Sequence, residues 1–224
     1  PMEHGQMEIT ASTQNPTKTQ AEVAEVLGLP MGKVAVRCKR MGGGFGGKLM
    51  KSLHTVCAAS VAAVKFGVPV KLLMNRNIET AMAGGRLPMS FKYEVGFDDS
   101  GKISAAKVLC HADEGVGDGA AGFSASIAVQ NMEQIYGLPN LDLESMLCTT
   151  NKPGNTAVRG PGEPQSIFAM ETIIDHVAAE LGKNPQEVRE ANIFTDMADR
   201  EKVAADPTSK DVEKYSALYA LGSD

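Results

Sequence analysis

Residues 41–48 read MGGGFGGK, with five glycines among eight residues. A strand-like alternation of apolar residues over positions 33–41 precedes this run, and an alanine-rich stretch without glycine or proline over positions 50–66 follows it. Glycine lacks a Cβ atom and permits positive φ, so the backbone N–H groups of such a loop can approach a ligand closely. The sequence therefore predicts a strand, a ligand-binding loop and a helix in that order.

The glycine run also matches two nucleotide-binding patterns in part. The glycines at positions 42, 44 and 47 fit GxGxxG, but the acidic residue expected about 20 positions later falls within residues 50–66, which contain no Asp or Glu. Lys48 completes a near match to the nucleotide P-loop, but Leu49 stands where Ser or Thr must hold magnesium. Nicotinamide binding is kept as a minor alternative, and phosphoryl transfer is not expected.

Strand and helix signals alternate on both sides of this loop. Asn15 followed by Pro16 is typical of a helix N-terminus, and Gly28 of its end. The predicted helices cover residues 17–27, 50–66 (buried), 123–136, 167–181 (with Ile167 in the core) and 185–194. The predicted strands cover residues 6–13, 33–41, 68–75, 91–97, 106–110 and 142–149. This mixture predicts an α+β fold over residues 1–194, followed by a polar, weakly structured tail at 195–224.

Composition limits the classes of function. The chain has 224 residues, 43% of them hydrophobic, which is enough to form a core. Its net charge of −5 argues against nucleic acid as a partner, because phosphate binding needs clustered Lys and Arg. No apolar run approaches the ~20 residues of a membrane helix, and no leader pattern opens the sequence. We expect a soluble, cytoplasmic protein with no membrane partner.

The cysteines and histidines are dispersed along the chain. The four cysteines form no CxxC pair, so the spacing predicts buried thiols in a reducing compartment and no iron–sulfur or zinc site built within this chain. The histidines are interpreted as packed or surface residues rather than metal ligands. These residues are Cys38, Cys57, Cys110, Cys148, His4, His54, His111 and His176.

Two further loops combine small residues with a few polar groups. In residues 12–15, STQN, the Gln14 amide can donate and accept hydrogen bonds to an oxygenated ligand. In residues 155–165, NTAVRGPGEPQ, Arg159 is suited to a phosphate or a substrate carboxylate. The alternative is purely structural, with the first loop capping a helix and the second turning into one. Neither loop decides between these readings by itself.

Four segments together resemble, in order, motifs of the xanthine dehydrogenase and aldehyde oxidase family of molybdenum hydroxylases. They are STQNPTKTQ at 12–20, KRMGGGFGGK at 39–48, GGRLP at 84–88 and AVRGPGEPQ at 157–165. The likeness spans residues 5–194 and is closer to aldehyde oxidases. It implies a portion of a molybdopterin-binding domain cut out of a much longer enzyme, which hydroxylates aldehydes or N-heterocycles with oxygen derived from water.

The resemblance also implies roles for individual residues. It places Gln14, Phe45, Gly46 and Arg159 around the cofactor, with Gln14, Phe45 and Arg159 nearest to the metal. The glutamate that acts as base in the family lies beyond this chain, so no catalytic residue is assigned. Glu163 imitates the setting of that glutamate only superficially, because it follows the arginine of a different motif.

Three positions bear on the substrate. Xanthine-oxidising members of the family have Glu where this chain has Leu49, and an aromatic residue where it has Pro161. Both departures favour an aldehyde substrate. Arg86, however, stands at the place of a xanthine-contacting arginine, so a xanthine dehydrogenase fragment is the alternative.

The resemblance further implies the partners. FAD and iron–sulfur clusters belong to the complete enzyme and are not bound by this chain, which we expect to be inactive in isolation. The expected partners are a small-molecule substrate, the remaining domains of the same enzyme and a second copy in a homodimer. The electron acceptor, oxygen or NAD, is left open. A non-catalytic remnant that keeps the pterin-binding loops is the alternative from another class.

Overall fold

A computed structural model describes residues 2–3, 5–117 and 120–194 of the chain. The strands are β1 Met2–Glu3, β2 Gln6–Thr10, β3 Val34–Arg37, β4 Met89–Phe97, β5 Ile103–Gly115 and β6 Leu141–Thr149. The helices are α1 Pro16–Leu27, α2 Ser52–Phe66, α3 Arg76–Ala83, α4 Ala121–Gln130, α5 Glu163–Leu181 and α6 Pro185–Asn192. This mixture of helices and small sheets confirms the predicted α+β class. The predicted tail at 195–224 and His4 lie outside the described residues.

The chain divides into two compact units. Unit 1 contains residues up to Met89, then Ala112–Ala125 and Leu147–Pro161, and unit 2 contains Ser90–His111, Ser126–Met146 and the described residues from Gly162 onward. All seven residues that the sequence predicts for the site belong to unit 1. They are Gln14, Phe45, Gly46, Leu49, Arg86, Arg159 and Pro161.

Unit 1 is built on a three-stranded sheet in the order β1-β2-β3. β2 and β3 are parallel, with Met7 opposite Val34 and Thr10 opposite Arg37, and α1 connects them. Apolar side chains from both strands, α1 and α2 form one core around Met7, Val23, Ala24, Val34 and Ala63. Because the strands are parallel, their carboxyl ends lie at the same edge of the sheet, and the loops that follow them leave from that edge.

The ends of α1 follow local signals in the sequence. The Asn15 side chain accepts a hydrogen bond from the backbone N–H of Lys18 at 3.0 Å, and Pro16 occupies the first turn. Gly28 adopts a left-handed φ of 63° and ends the helix. These residues confirm the predicted helix, because each satisfies or removes a terminal backbone group.

Several predicted elements of unit 1 are wrong. Residues 68–75 were predicted as a short strand but form none, because no strand of the described residues pairs with them; α3 follows at once, with Asn75 as its cap. The predicted buried helix is α2, but only Ser60 and Ala63 are buried in it. β2 and β3 end at Thr10 and Arg37, earlier than predicted, because the chain turns there into the loops.

Most residues of the hairpin strands β4 and β5 and of the strand β6 belong to unit 2, and the strands pair in the order β4-β5-β6. The Asp98 carboxylate closes the hairpin turn by accepting from the backbone N–H of Ser100 at 2.8 Å and of Lys102 at 3.1 Å. α5 supplies one side of the core, and its largest fully buried side chains are Met170, Ile173 and Ile174.

Three expectations about burial and length need correction. Ile167 was predicted in the core but is 47% exposed, because it lies on the outer side of α5. α4 ends at Gln130 rather than at residue 136. Of the four cysteines only Cys110 is buried, and the other three are partly exposed; none of the four forms a disulfide bond.

Candidate functional site

Residues 12–15 and the glycine run at residues 41–48 meet at the carboxyl edge of the parallel strands β2 and β3. The backbone N–H of Gln14 donates to the carbonyl of Lys48 at 3.0 Å. Ser12 Oγ donates to the carbonyl of Met41 at 2.9 Å, and Lys48 Nζ donates to that same carbonyl at 2.6 Å and to Ser12 Oγ at 2.8 Å. Lys48 thus fixes the start of the glycine run against residues 12–15 instead of reaching outward as a P-loop lysine does.

The Gln14 side chain crosses between these loops. Its Oε1 accepts hydrogen bonds from the backbone N–H of Gly46 at 2.9 Å and of Lys48 at 3.2 Å. Since both partners are donors, they fix which end of the amide faces the glycine run. A Cβ at Gly44 would lie 2.5 Å from Gln14 Cδ, so only glycine fits there. Within the described residues, Nε2 of Gln14 has no acceptor and is available to a ligand.

The glycine run itself presents unpaired backbone donors. Phe45 adopts a left-handed φ of 51°, which is uncommon for a residue with a side chain, and Gly46 has a φ of 93°. Among residues 2–3, 5–117 and 120–194, nothing accepts from the four N–H groups of residues 42–45. Phe45 is 65% exposed. Consecutive free N–H groups in a loop with several positive φ angles suit a ligand rich in acceptor oxygens.

The loop at residues 155–165, here called the third loop, packs directly on the glycine run. The backbone N–H of Arg159 donates to the carbonyl of Phe45 at 2.8 Å, and Thr156 Oγ1 donates to the carbonyl of Gly46 at 3.3 Å. A Cβ built at Gly46 would lie 2.0 Å from the carbonyl oxygen of Ala157. Glycine at position 46 is therefore required by its positive φ and by the close approach of the third loop.

Positive charge accumulates in these loops without described carboxylates to neutralise it. The Arg159 guanidinium lies over the Phe45 ring, 6.0 Å from its centroid, and the arginine is exposed. In the part of the chain that the structure describes, Lys48, Arg86 and Arg159 form no ion pair with Asp or Glu. Such a surface favours an anionic ligand, because nearby unpaired cations attract phosphate and carboxylate groups.

The substrate residues predicted from sequence occupy different surroundings. Nη1 of Arg86 donates to the carbonyl of Gly160, and Nη2 to that of Arg159, both at 2.6 Å. Pro161 follows directly and is half-buried. Leu49 ends the glycine run, with its backbone N–H bonded to the carbonyl of Gly46 at 3.1 Å. Hydrogen bonds therefore connect Arg86 to Arg159, whereas Leu49 is tied to the site through its backbone.

Two supporting residues escaped prediction from the sequence. Asp113 accepts from Thr150 Oγ1 at 2.6 Å, Lys152 Nζ at 2.9 Å and the backbone N–H of Gly115 at 3.0 Å. These hydrogen bonds, that of Thr150 above all, lower the pKa of Asp113 to about 2. Asn155 Nδ2 donates to the carbonyl of Asp113 at 3.2 Å. Thr150, Lys152 and Asn155 lie 37 to 42 residues from Asp113, so no local pattern indicated these contacts.

The described residues lack two features that would bear on the kind of site. They hold no group of three or more His, Cys, Asp or Glu side chains placed to bind a metal ion directly. In the same residues, no helix is both long and apolar enough to cross a membrane.

Comparisons with known proteins agree on one family. The family model described as the molybdopterin cofactor-binding domain matches residues 1–193. A xanthine dehydrogenase of Dictyostelium discoideum is 37% identical over 201 residues, covering 87% of this chain and 14% of that protein. Aldehyde oxidase 2 of Cavia porcellus is 38% identical, with 86% of this chain and 14% of that protein covered. The chain thus spans about one seventh of the length of these relatives.

Solved structures show the same architecture. The aldehyde oxidoreductase from Desulfovibrio desulfuricans superposes with a TM-score of 0.76 at 26% identity, over 86% of this chain and 21% of that one. The Cu,Mo-CO dehydrogenase superposes with a TM-score of 0.75 at 25% identity, over 85% of this chain and 24% of that one. This chain therefore folds like one segment of several larger oxidoreductases.

Proposed function

Since this chain belongs to the molybdopterin cofactor-binding domain family of xanthine dehydrogenases and aldehyde oxidases, we propose that its loops hold a molybdenum–molybdopterin cofactor within a longer oxidoreductase. One observation carries the proposal. Residues 12–15, 41–48 and 155–161, far apart in sequence, meet through backbone hydrogen bonds and leave backbone donors and the Arg159 guanidinium free among the described residues. A phosphate-bearing, oxygen-rich cofactor supplies the acceptors that these groups lack.

The donor set fits such a group. Gln14 is the residue to donate from Nε2 to an oxygen at the metal, because its Oε1 is already occupied. The free backbone N–H of Phe45 would donate to the cofactor, and the adjoining Gly46, without a side chain, would let it approach the loop closely. Arg159 supplies positive charge and forked N–H donors to an anionic part of it. When bound, the molybdenum group supplies a Lewis acid and a redox centre.

We assign no general base to this chain, so its own residues bind and orient rather than transfer protons. The complete enzyme, in this proposal, hydroxylates aldehydes or N-heterocycles, with its base, FAD and iron–sulfur clusters in other parts of the polypeptide and two copies in a homodimer. The cytoplasm is the proposed location, because none of the four cysteines forms a disulfide bond.

Among substrates we propose aldehydes. The relatives include xanthine dehydrogenases and aldehyde oxidases at comparable identity, 40% and 38% for two of them. Leu49 and Pro161 favour an apolar carbonyl compound, since a leucine packs against it but offers a purine no hydrogen bond. Arg86 is the residue that favours xanthine instead.

The cofactor proposal is tested on the complete polypeptide that contains this sequence, purified and analysed for molybdenum and pterin per chain. Arg159→Ala should lower molybdenum content about tenfold, because an unpaired anionic group costs ~1–3 kcal/mol. Gln14→Ala should lower turnover more than molybdenum content. The control is Arg76→Ala, whose side chain is 81% exposed. Full molybdenum in the Arg159 variant would remove this arginine from the site.

The aldehyde proposal is tested by comparing kcat/KM for benzaldehyde and for xanthine. The unsubstituted enzyme should prefer benzaldehyde, and Leu49→Glu should weaken aldehyde oxidation by about tenfold or more, because it replaces the apolar side chain proposed to pack against the substrate with a charge. Leu49→Met is the matched control of similar volume and polarity. A preference for xanthine in the unsubstituted enzyme would overturn the aldehyde proposal and favour the xanthine dehydrogenase alternative.

A further inference from the structure

We propose that Arg86 is a positioning residue that clamps the loop carrying Arg159, rather than a residue that contacts substrate. The clamp itself stands on the geometry of the unliganded chain. Its consequence for the cofactor rests on the proposed function.

The guanidinium of Arg86 is already committed to the backbone. Its two terminal nitrogens donate to the carbonyls of the successive residues Arg159 and Gly160, each at 2.6 Å. A planar guanidinium presents parallel donors of this kind, which suit two neighbouring acceptors as well as they suit a carboxylate. Because both terminal nitrogens are engaged in this way, the forked grip on a substrate oxygen pair is no longer open to them.

Residues 85 and 86 hold the same loop at both ends. At its start, the backbone N–H of Gly85 donates to Asn155 Oδ1 at 3.3 Å, and the backbone N–H of Thr156 donates to the carbonyl of Gly85 at 3.1 Å. At its end, the Arg86 side chain holds the carbonyls of residues 159 and 160. The loop between Asn155 and Gly160 is therefore fastened by one dipeptide at two places.

Arg159 lies between two attachments and is fixed by them. Its N–H is bonded to the carbonyl of Phe45 at 2.8 Å, and its carbonyl accepts from Arg86. Because both the N–H and the carbonyl of Arg159 are held, its backbone is fixed. The direction in which its side chain leaves the backbone toward the Phe45 ring is therefore restricted. Arg86 therefore acts on a bound group through Arg159, by preorganisation.

Hydrogen exchange of the 224-residue chain without cofactor tests the clamp. In Arg86→Gln the amides of residues 157–160 should exchange about five to ten times faster, since two hydrogen bonds of the loop are lost. Arg86→Lys should show an intermediate rate, because an ammonium group serves one carbonyl well but lacks the fork. Amides of α1 should not change in either variant, and Arg76→Gln, on an exposed helix, should change neither region.

Kinetics of the complete enzyme separate the clamp from a substrate role. If Arg86 positions Arg159, then Arg86→Gln lowers molybdenum content, Arg86→Lys restores part of it, and KM for the substrate stays unchanged. If Arg86 contacts substrate, KM rises while molybdenum content and loop exchange stay the same, which overturns the proposal. Faster exchange in a protein that holds no molybdenum even when unsubstituted would support the clamp while overturning the proposed function.

Discussion

Helix α5 of unit 2 and the loops of unit 1 are held by different kinds of interaction. Seven residues of α5 are buried, and its apolar ones pack in a core of aliphatic and aromatic side chains. The loops are held by backbone groups and a few polar side chains, whose partners lie 32 residues away for Gln14 and Gly46 and 110 for Thr156 and Gly46. Unit 2 therefore depends on side-chain volume, and the candidate site depends on backbone geometry.

The largest expected effect is a clash in the loops. Gly46→Ala should lower the free energy of unfolding by about 4 kcal/mol, because it adds backbone strain to overpacking. The added Cβ meets the carbonyl of Ala157 at 2.0 Å, and the residue has a φ of 93°. Urea unfolding followed by circular dichroism measures the change. Gly32→Ala is the control, since nothing lies within 4 Å of its Cβ position; equal midpoints for the two variants would contradict the loop geometry.

The second prediction removes volume from unit 2. Ile173 is fully buried, so Ile173→Ala should cost about 3 kcal/mol through lost contacts and a cavity. Ile167→Ala on the same helix, where the side chain is 47% exposed, should cost less than about 1 kcal/mol. Urea midpoints of both variants give the difference. A cost for Ile167→Ala as large as that for Ile173→Ala would show that the contrast between core and outer side of α5 is misplaced.

The sequence predicts most of what local signals and periodicity control. Asn15, Pro16 and Gly28 mark the ends of α1, and the spacing of apolar residues predicted α5. The strand predicted at 68–75 failed for a physical reason. A strand-like run of apolar residues indicates only that a strand is possible. A strand forms when a neighbouring strand supplies hydrogen bonds, and no such neighbour is present among the described residues.

The residue types of the candidate site could be predicted from the sequence, but the hydrogen bonds between them could not. Composition and family likeness indicated Gln14, the glycine run and Arg159 as ligand-binding residues. Neither source could indicate that Arg86 holds a loop 73 residues away, or that Asn155 reaches Asp113 across 42 residues. Such pairs arise from tertiary packing, and each side chain has many equivalent partners in the sequence alone.

The third prediction concerns a side chain of unit 2 that, like Gln14 in unit 1, holds backbone groups by hydrogen bonds. Asn192 is fully buried; its Oδ1 accepts from the Ile103 N–H at 2.9 Å, and its Nδ2 donates to the Gly101 carbonyl at 2.8 Å. Asn192→Ala should cost about 2 kcal/mol, because buried backbone groups lose their partners. The control is Asn131→Ala, whose amide is exposed. A cost near zero at Asn192 would leave unit 2 held by apolar packing alone and so sharpen the contrast.

The smallest expected effects come from pH, and they differ in sign between the units. Asp113 in unit 1 has its pKa lowered to about 2, chiefly by the hydrogen bond from Thr150, so its contribution is complete above the ordinary value of 3.8. That contribution is lost as the pH falls through about 2. Burial, and then the hydrogen bond to Glu171, raises the pKa of Tyr136 in unit 2. Its contribution is therefore complete below its ordinary value of 10.0 and is lost as the pH rises above it.

Urea midpoints of the unsubstituted chain, Asp113→Asn and Tyr136→Phe, each measured from pH 2 to pH 11, test both signs. The difference between the unsubstituted chain and Asp113→Asn should stay constant at neutral pH and shrink only toward acid, by a small amount because the carboxylate is only partly buried and its partner Lys152 is exposed to screening solvent. The difference for Tyr136→Phe should stay constant from neutral pH up to about pH 10 and shrink above it. A loss of the Asp113 difference between pH 5 and 7 would mean that the carboxylate does not fasten residues 150–155, and that the third loop reaches the glycine run without this anchor.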